Sequence, residues 1–243
     1  MSFIRIAARI SAVEALKGAT IVGQNVLDSE IGVLDIAADG SLRSAKDKPF
    51  ISVYTDGSQV LTGLEIRSLS SPGLLDIVFE AGVTTAHAVT DSETDESVIL
   101  GMPATDANFE FHLDLALRQI GDALSDPGNE WAEIFRSLCI SFKSTSRARI
   151  SGDTNGIRLA AHQLKISADM VAEPLARQPL NSSSPFARFL QKCEGVESLA
   201  EQVALMRAQI SGDADELQTA MRRYGMVYTE ADAMLITPAM VST

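Results

Sequence analysis

Two runs of alternating apolar and polar residues constrain the fold of this chain most strongly. The first, "PFISVYTDG", begins at Pro49, and the second, "LLDIVFEAGV", covers residues 74–83. A period of two is typical of β-strands that bury one face. The sequence therefore predicts two strands that pair with each other, and it predicts that the first ends in a turn at Asp56-Gly57.

Tyr54 is the last large side chain of the first run. It shares a strand face with Phe50 and Ser52. We expect it to pack on a helix layer or against a neighbouring subunit rather than to line a catalytic cleft.

Helical periodicity surrounds these runs. An amphipathic helix is predicted from Phe3 to a stop at Gly18, and a second follows Thr105 or Asp106, either of which can act as its N-cap. A further helix is predicted over "NEWAEIFRSLCISF", and "SGDTNG" is expected to be the turn before a strand. The alternation of that strand covers Leu164 to Met170, and Glu173-Pro174 is expected to end it. These elements predict an α/β (α+β) fold, with a mixed central sheet and a layer of helices.

The polar stretches predict how the chain is organised. Residues 19–48 are expected to form an extended excursion within a domain of residues 1–176. Residues 177–186, "RQPLNSSSPF", are predicted to be a linker. Residues 187–243 are then a C-terminal helical extension, whose buried stripe is Val196, Leu199, Val203 and Met206.

Charge and cysteine usage exclude several classes of protein. The 20 basic and 32 acidic residues leave a formal charge of −12, which argues against a protein that grips nucleic acid. No stretch approaches the roughly 20 consecutive apolar residues of a membrane span. Cys139 and Cys193 stand far apart in the sequence and are expected to be free, buried thiols in a reducing compartment.

No catalytic, cofactor-binding or metal-binding residues are predicted. The three histidines lack metal-ligand spacing, and His112 is expected to contact a backbone carbonyl or solvent. The phosphate-binding, dinucleotide-binding and nucleophile-elbow motifs are all missing from the sequence. We therefore expect a protein that is not an enzyme.

Two charged segments join Tyr54 as candidate interface residues. They are the acidic run Asp91, Glu93, Asp95 and Glu96, and the basic residues Arg147, Arg149 and Arg158. The acidic run is typical of a solvated loop. Our hypothesis is that Arg147 and Arg149 contact this acidic loop in a neighbouring subunit.

The order of elements resembles that of bacteriophage tail-terminator, or tail-completion, proteins. The resemblance covers about residues 3–174 and is carried by "PFISVYTDG", "LLDIVFEAG", the helix that opens with "TDANFEFHLDLALRQI" and the late strand "GIRLAAHQLKISADMVAEP". It implies an α/β subunit that forms a homohexameric ring, caps the tail tube and joins the tail to the head or neck.

The same resemblance implies the partners and the location. The partners would be other copies of the chain, the tail tube protein, a neck or head-completion protein, and a sheath or collar protein. DNA would pass without specific binding, with residues 91–96 at the bore or the tube-facing rim. The protein would belong to the virion and assemble in the cytoplasm of the host bacterium. Two alternatives stay open: another neck or baseplate protein, and a small-molecule-binding domain or enzyme.

Overall fold

The computed structural model describes residues 3–29, 49–59, 73–84, 89–90, 97–99, 102–103, 105–154, 157–175, 179–211, 221 and 224–234. The strands are β1 (Val26–Asp28), β2 (Phe50–Gln59), β3 (Leu74–Thr84), β4 (Val89–Thr90), β5 (Ser97–Ile99), β6 (Met102–Pro103), β7 (Cys139–Thr154) and β8 (Ile157–Met170). The helices are α1 (Phe3–Leu16), α2 (Asp106–Ser125), α3 (Glu130–Ser137), α4 (Pro185–Cys193), α5 (Ala200–Ile210) and α6 (Tyr228–Ala233), with a 3₁₀ turn over Glu197–Leu199.

The described strands form one five-stranded sheet in the order β1-β2-β3-β8-β7 and a small sheet of β4, β5 and β6. In the large sheet β1 is parallel to β2, and the other neighbours are antiparallel. The two alternating runs are β2 and β3, and they pair as the sequence predicts. The α/β fold, with a mixed sheet, a helix layer and a helical C-terminal region, is therefore confirmed.

The predicted end of β2 at Asp56-Gly57 is wrong. The strand continues to Gln59, and its register with β3 shifts between Thr55 and Ser58. Asp56 and Gly57 thus lie in a β-bulge, because β3 continues alongside and keeps its hydrogen bonds on both sides of the irregularity. An Asp-Gly pair closes a tight hairpin only where the second strand starts directly after it, whereas β3 starts at Leu74.

Two further predictions are corrected around β7. The helix that opens "NEWAEIFRSLCISF" ends at Ser137, and strand β7 begins at Cys139. Ile140 and Phe142 are exposed to solvent, so they do not continue the buried face of that helix. Residues 151–154 of "SGDTNG" belong to β7, so they do not form a turn after a helix. The late strand is confirmed but starts earlier, at Ile157.

Helices α1, α2 and α3 cover one face of the large sheet. That face carries the buried side chains of alternate strand residues, among them Ile51, Val53, Ile77, Phe79 and Leu164. A pleated strand sends every second side chain to the same side, so this set defines the helix side of the sheet. The core lies between the two layers.

Local hydrogen bonds fix the ends of these helices. The carboxylate of Glu173 accepts bonds from the backbone N–H groups of Phe3 (2.9 Å) and Ile4 (3.3 Å), where α1 has unpaired donors. The predicted stop of α1 is confirmed by Gly18, whose φ of 72° suits glycine. Thr105 caps α2 by accepting from the N–H of Asn108 at 3.3 Å, as one of the two predicted caps.

Helix α4 packs into the same core as the sheet and α1. Phe186, Phe189, Leu190 and Cys193 are buried in the main hydrophobic cluster, and the ring centroids of Phe3 and Phe186 lie 5.7 Å apart. The helix begins at Pro185, inside the stretch expected to be a linker. Contacts between α4 and the core therefore cross the expected domain boundary.

The remaining predictions on helices and loops have mixed outcomes. In the expected C-terminal stripe Leu199, Val203 and Met206 are buried, whereas Val196 is half-buried. The expected excursion of residues 19–48 contains β1, which pairs with β2, and its residues 30–48 lie outside the described residues. In the described part of the chain, no helix has the length and apolarity needed to cross a bilayer.

Candidate functional site

Strand β7 forms an exposed edge of the large sheet. It pairs with β8, and no described strand lies on its other side. Every residue from 142 to 149 is exposed to solvent. A free strand edge presents unpaired backbone N–H and C=O groups and is a ready template for pairing with another chain.

The two halves of β7 differ in how well this edge is protected. The register with β8 shifts between Cys139 and Ser141 and again between Phe142 and Ser144, and Lys143 lies at the second of these irregularities. Bulges and lysines are devices that prevent edge-to-edge association. From Thr145 to Thr154 the register has no shift, so the outer half of β7 is left regular and open.

The structure places the three predicted arginines in this hairpin. Arg147 and Arg149 lie opposite Leu164 and His162, so both are on the helix side of β7 rather than beside a turn. Arg158 lies in β8 opposite Asp153, and its side chain is outside the described residues.

The two arginines of β7 have different surroundings. Arg149 donates from Nε to Oε1 of Glu110 at 2.6 Å, and its Nη2 lies 2.5 Å from the same oxygen. Arg147 is exposed and makes no ion pair with a described residue. Of the two, Arg147 is therefore the one available to a partner.

Glu110 and His162 form a cluster with Arg149 that the sequence did not reveal. His162 Nε2 lies 2.9 Å from Glu110 Oε2, and His162 Nδ1 lies 3.4 Å from Oδ1 of Asp114. The hydrogen bond from Arg149 is the main reason that the pKa of Glu110 lies below its ordinary value, and His162 lowers it further. The cluster ties α2 to the hairpin of β7 and β8, and so positions the exposed edge.

Replacing Glu110 with glutamine is expected to lower the free energy of unfolding near neutral pH by less than about 1 kcal/mol, since the pair is partly exposed. The folded-state pKa of Glu110 lies below its unfolded value of 4.5. The stabilisation is therefore complete at pH values above 4.5 and is lost as the pH falls through the lower folded-state pKa. Urea denaturation at about pH 7 and about pH 3 measures this, and the difference between the two proteins should shrink at the lower pH.

Asp122→Asn is the matched control on the same helix, because Asp122 pairs with Arg118 in an exposed position. A pH-independent difference between Glu110→Gln and the wild type would contradict the role of the ion pair.

Tyr54 lies on the face of the sheet opposite the helices. Its hydroxyl donates to Oε2 of Glu80 at 3.1 Å and accepts from Nε2 of Gln163 at 3.0 Å. Burial, followed by the negative charge of Glu80, raises the pKa of Tyr54. The expectation that Tyr54 packs on the helix layer is wrong, since its neighbour Val53, not Tyr54, points toward the helices. A contact with a neighbouring subunit stays a prediction.

A second polar group lies farther along the same face. Lys165 Nζ lies 2.6 Å from Oδ2 of Asp76 and 3.6 Å from Oδ2 of Asp56, and Ser167 donates to Oδ1 of Asp76 at 2.5 Å. Burial alone would raise the pKa of Asp76, but the bonds from Lys165 and Ser167 hold it below its ordinary value. Lys165 thus neutralises one of the two carboxylates that it contacts, and this face of the sheet is polar.

A groove between α3 and α4 has a volume of about 690 Å³. Lys192 Nζ lies 5.9 Å from the ring centroid of Trp131 and pairs with Glu130. The aromatic face and the cation in this groove already contact each other, as a cation–π pair does.

The remaining candidates are the acidic run and His112. Asp91, Glu93, Asp95 and Glu96 lie outside the described residues. His112 is buried, and its Nδ1 lies 2.6 Å from the carbonyl oxygen of Asn108, which confirms the expected backbone contact.

The described residues include no cluster suited to a metal ion, and their two thiols are unreactive. In the described ranges no group of three or more His, Cys, Asp or Glu residues is placed to hold a metal ion. Cys139 and Cys193 are free thiols as expected, although Cys139 is only half-buried, and burial raises the pKa of each to about 12. A thiol with so high a pKa is a poor nucleophile.

Comparison of the chain with models of known protein families and with curated proteins finds no match.

Proposed function

We propose that this chain is a structural ring protein of a bacteriophage tail, which caps the tail tube and joins the tail to the head or neck. The observation that carries the proposal is the long, exposed edge of β7. This strand belongs to a sheet that has helices on one of its two faces. A strand that is solvated over residues 142–149 and regular beyond Thr145 suits contact with another protein chain. The order of elements over residues 3–174 supports the same assignment.

In this role the chain makes a hexameric ring with other copies of itself and contacts the tail tube protein and a neck or head-completion protein. A sheath or collar protein is the further partner. DNA passes through the ring without specific binding. Six chains of −12 carry a formal charge of −72, and a bore of that sign repels the phosphate backbone. The protein would be found in the virion after assembly in the host cytoplasm.

Mass photometry of the purified chain tests the proposal. A ring of six chains of 26.0 kDa has a mass of about 156 kDa, and we expect this species alone or after addition of the tail tube protein encoded in the same genome. Tube protein without the chain is the control. A stable monomer under both conditions would contradict the proposal.

Immunogold labelling of purified particles distinguishes the tail terminator from other tail proteins. Label at the head-proximal end of the tail is expected. Label at the distal end would favour the baseplate alternative instead.

A further inference from the structure

We infer that β7 of one copy pairs with β1 of the next copy, so that the large sheet continues from subunit to subunit. This inference rests on the proposed ring and names the surface that closes it. Among the described strands, β1 and β7 are the two edges of the same sheet. A contact between two different edges is heterologous, and repeated rotation by the same operator closes it into a ring.

The strand directions allow this continuation. β1 is parallel to β2, and the three remaining steps across the sheet, to β3, β8 and β7, are all antiparallel. β7 therefore runs opposite to β1. A neighbouring copy placed at the β7 edge, with its helices on the same side, presents β1 in the antiparallel direction, which gives the usual ladder of perpendicular hydrogen bonds.

The charges at the two edges are complementary and lie on the same side of the sheet. Asp28 of β1 is opposite Val53, and Arg147 of β7 is opposite Leu164; both of these partners point into the core beneath the helices. Asp28 and Arg147 therefore both lie on the helix side, where opposite charges on adjacent strands attract.

Asp28 retains acceptor capacity in the single chain. Arg9 Nε (2.5 Å) and Ser29 Oγ (2.8 Å) both bond to its Oδ1. Its Oδ2 has no hydrogen bond from a described residue. A carboxylate can accept from a further arginine at that oxygen.

A symmetric pairing of β7 with β7 of a second copy is electrostatically unfavourable in the registers centred on residues 147 to 149. Side chains directly opposite each other in such a pair point to the same face. A two-fold axis centred on Arg147 or on Arg149 sets that arginine opposite itself, and one centred on Ala148 sets Arg147 opposite Arg149. Like charges in these positions repel, whereas β1 offers an acidic residue.

Disulfide trapping with the double variant Asp28→Cys, Arg147→Cys tests the inference. The two positions are on opposite edges of a five-stranded sheet, four strand spacings or roughly 19 Å apart, so a disulfide within one chain is impossible. Mild oxidation of the assembled protein should produce a ladder of covalent oligomers that ends at the ring on non-reducing electrophoresis. The variant Asp28→Cys, Lys143→Cys is the matched control, since Lys143 lies in the bulged half of β7, and it should remain a single band.

A charge variant provides an independent readout. Arg147→Asp should shift the mass from the ring to the monomer, while Lys143→Asp should leave the ring intact. Arg147 is exposed and has no ion pair among the described residues, so the monomer's circular dichroism should not change.

Four results would overturn the inference. A ring of unchanged mass in Arg147→Asp, or an assembled double-cysteine variant that yields no ladder, would reject the β7–β1 contact while leaving the proposed ring function standing. A covalent dimer from Arg147→Cys alone would show that β7 pairs with itself. Absence of the ring from the unsubstituted protein, both alone and with the tube protein, would reject the inference together with the proposed function.

Discussion

Replacing Phe79 with alanine is expected to lower the free energy of unfolding by about 3–5 kcal/mol. Phe79 lies in the middle of β3, with no exposed surface, between Val53 of β2 and Leu164 of β8. Its ring fills the space beneath the helix layer, and removing it leaves a cavity that the surrounding sheet can close only in part. A loss of that size is a large share of the roughly 5–15 kcal/mol that holds a typical domain folded.

Urea denaturation followed by far-ultraviolet circular dichroism measures this loss. Phe111→Ala is the control of the same chemistry, because Phe111 is 55% exposed on α2. We expect the control to change the free energy of unfolding by no more than about 0.5 kcal/mol. Equal effects of the two substitutions would mean that the sheet does not form the core described above.

Replacing Phe189 with alanine is expected to cost a similar amount, again about 3–5 kcal/mol. Phe189 is fully buried in α4, and the ring centroid of Phe186 lies 5.9 Å from its own. Since α4 shares one hydrophobic cluster with α1, α3 and the sheet, this loss should appear in the unfolding of the entire core. We expect one cooperative transition, shifted to lower urea concentration for every probe.

Leu205→Ala is the matched control in the same C-terminal region, because Leu205 is 61% exposed on α5. It should leave the transition unchanged. A separate early transition in Phe189→Ala, with the sheet unaffected, would instead establish residues 187–243 as an independent module.

Local sequence patterns predicted the elements whose faces are clearly polar on one side and apolar on the other. Strands β2 and β3 and helices α1 and α2 are of this kind, because a period of 2 or 3.6 is visible wherever one face is buried. Thr105 was predictable as a cap because its hydroxyl bonds to an N–H three residues away. All of these signals are short-range.

Strand β7 could not be predicted, because local patterns reveal a strand only where one of its faces is buried. Exposed along residues 142–149, it has no buried face to impose a period on its sequence, and its first residues continue the apolar spacing of α3. What makes it a strand is its pairing with β8 over the full length of the hairpin. The bulge at Asp56-Gly57 has a similar origin, since β3 holds the chain on both sides of a pair that otherwise indicates a turn.

At the candidate site, too, the sequence identified residues but not the contacts between them. Sequence reasoning selected Arg147 and Arg149 together, but it could not separate them, because the carboxylate that pairs with Arg149 belongs to Glu110, 39 residues earlier. His162 meets Glu110 across 52 residues and was likewise unrecognised. Contacts between residues so distant in sequence leave no local pattern.

The sequence by itself determined the α/β class, the two central strands and the helix faces, because each depends on which side chains avoid water over a few consecutive residues. Only the tertiary structure decided that β7 is an edge, that Arg147 is available on it and that Asp28 lies on the same side of the opposite edge. The order of strands in a sheet is set by the packing of the entire chain, and whether a strand is central or at an edge follows from that order.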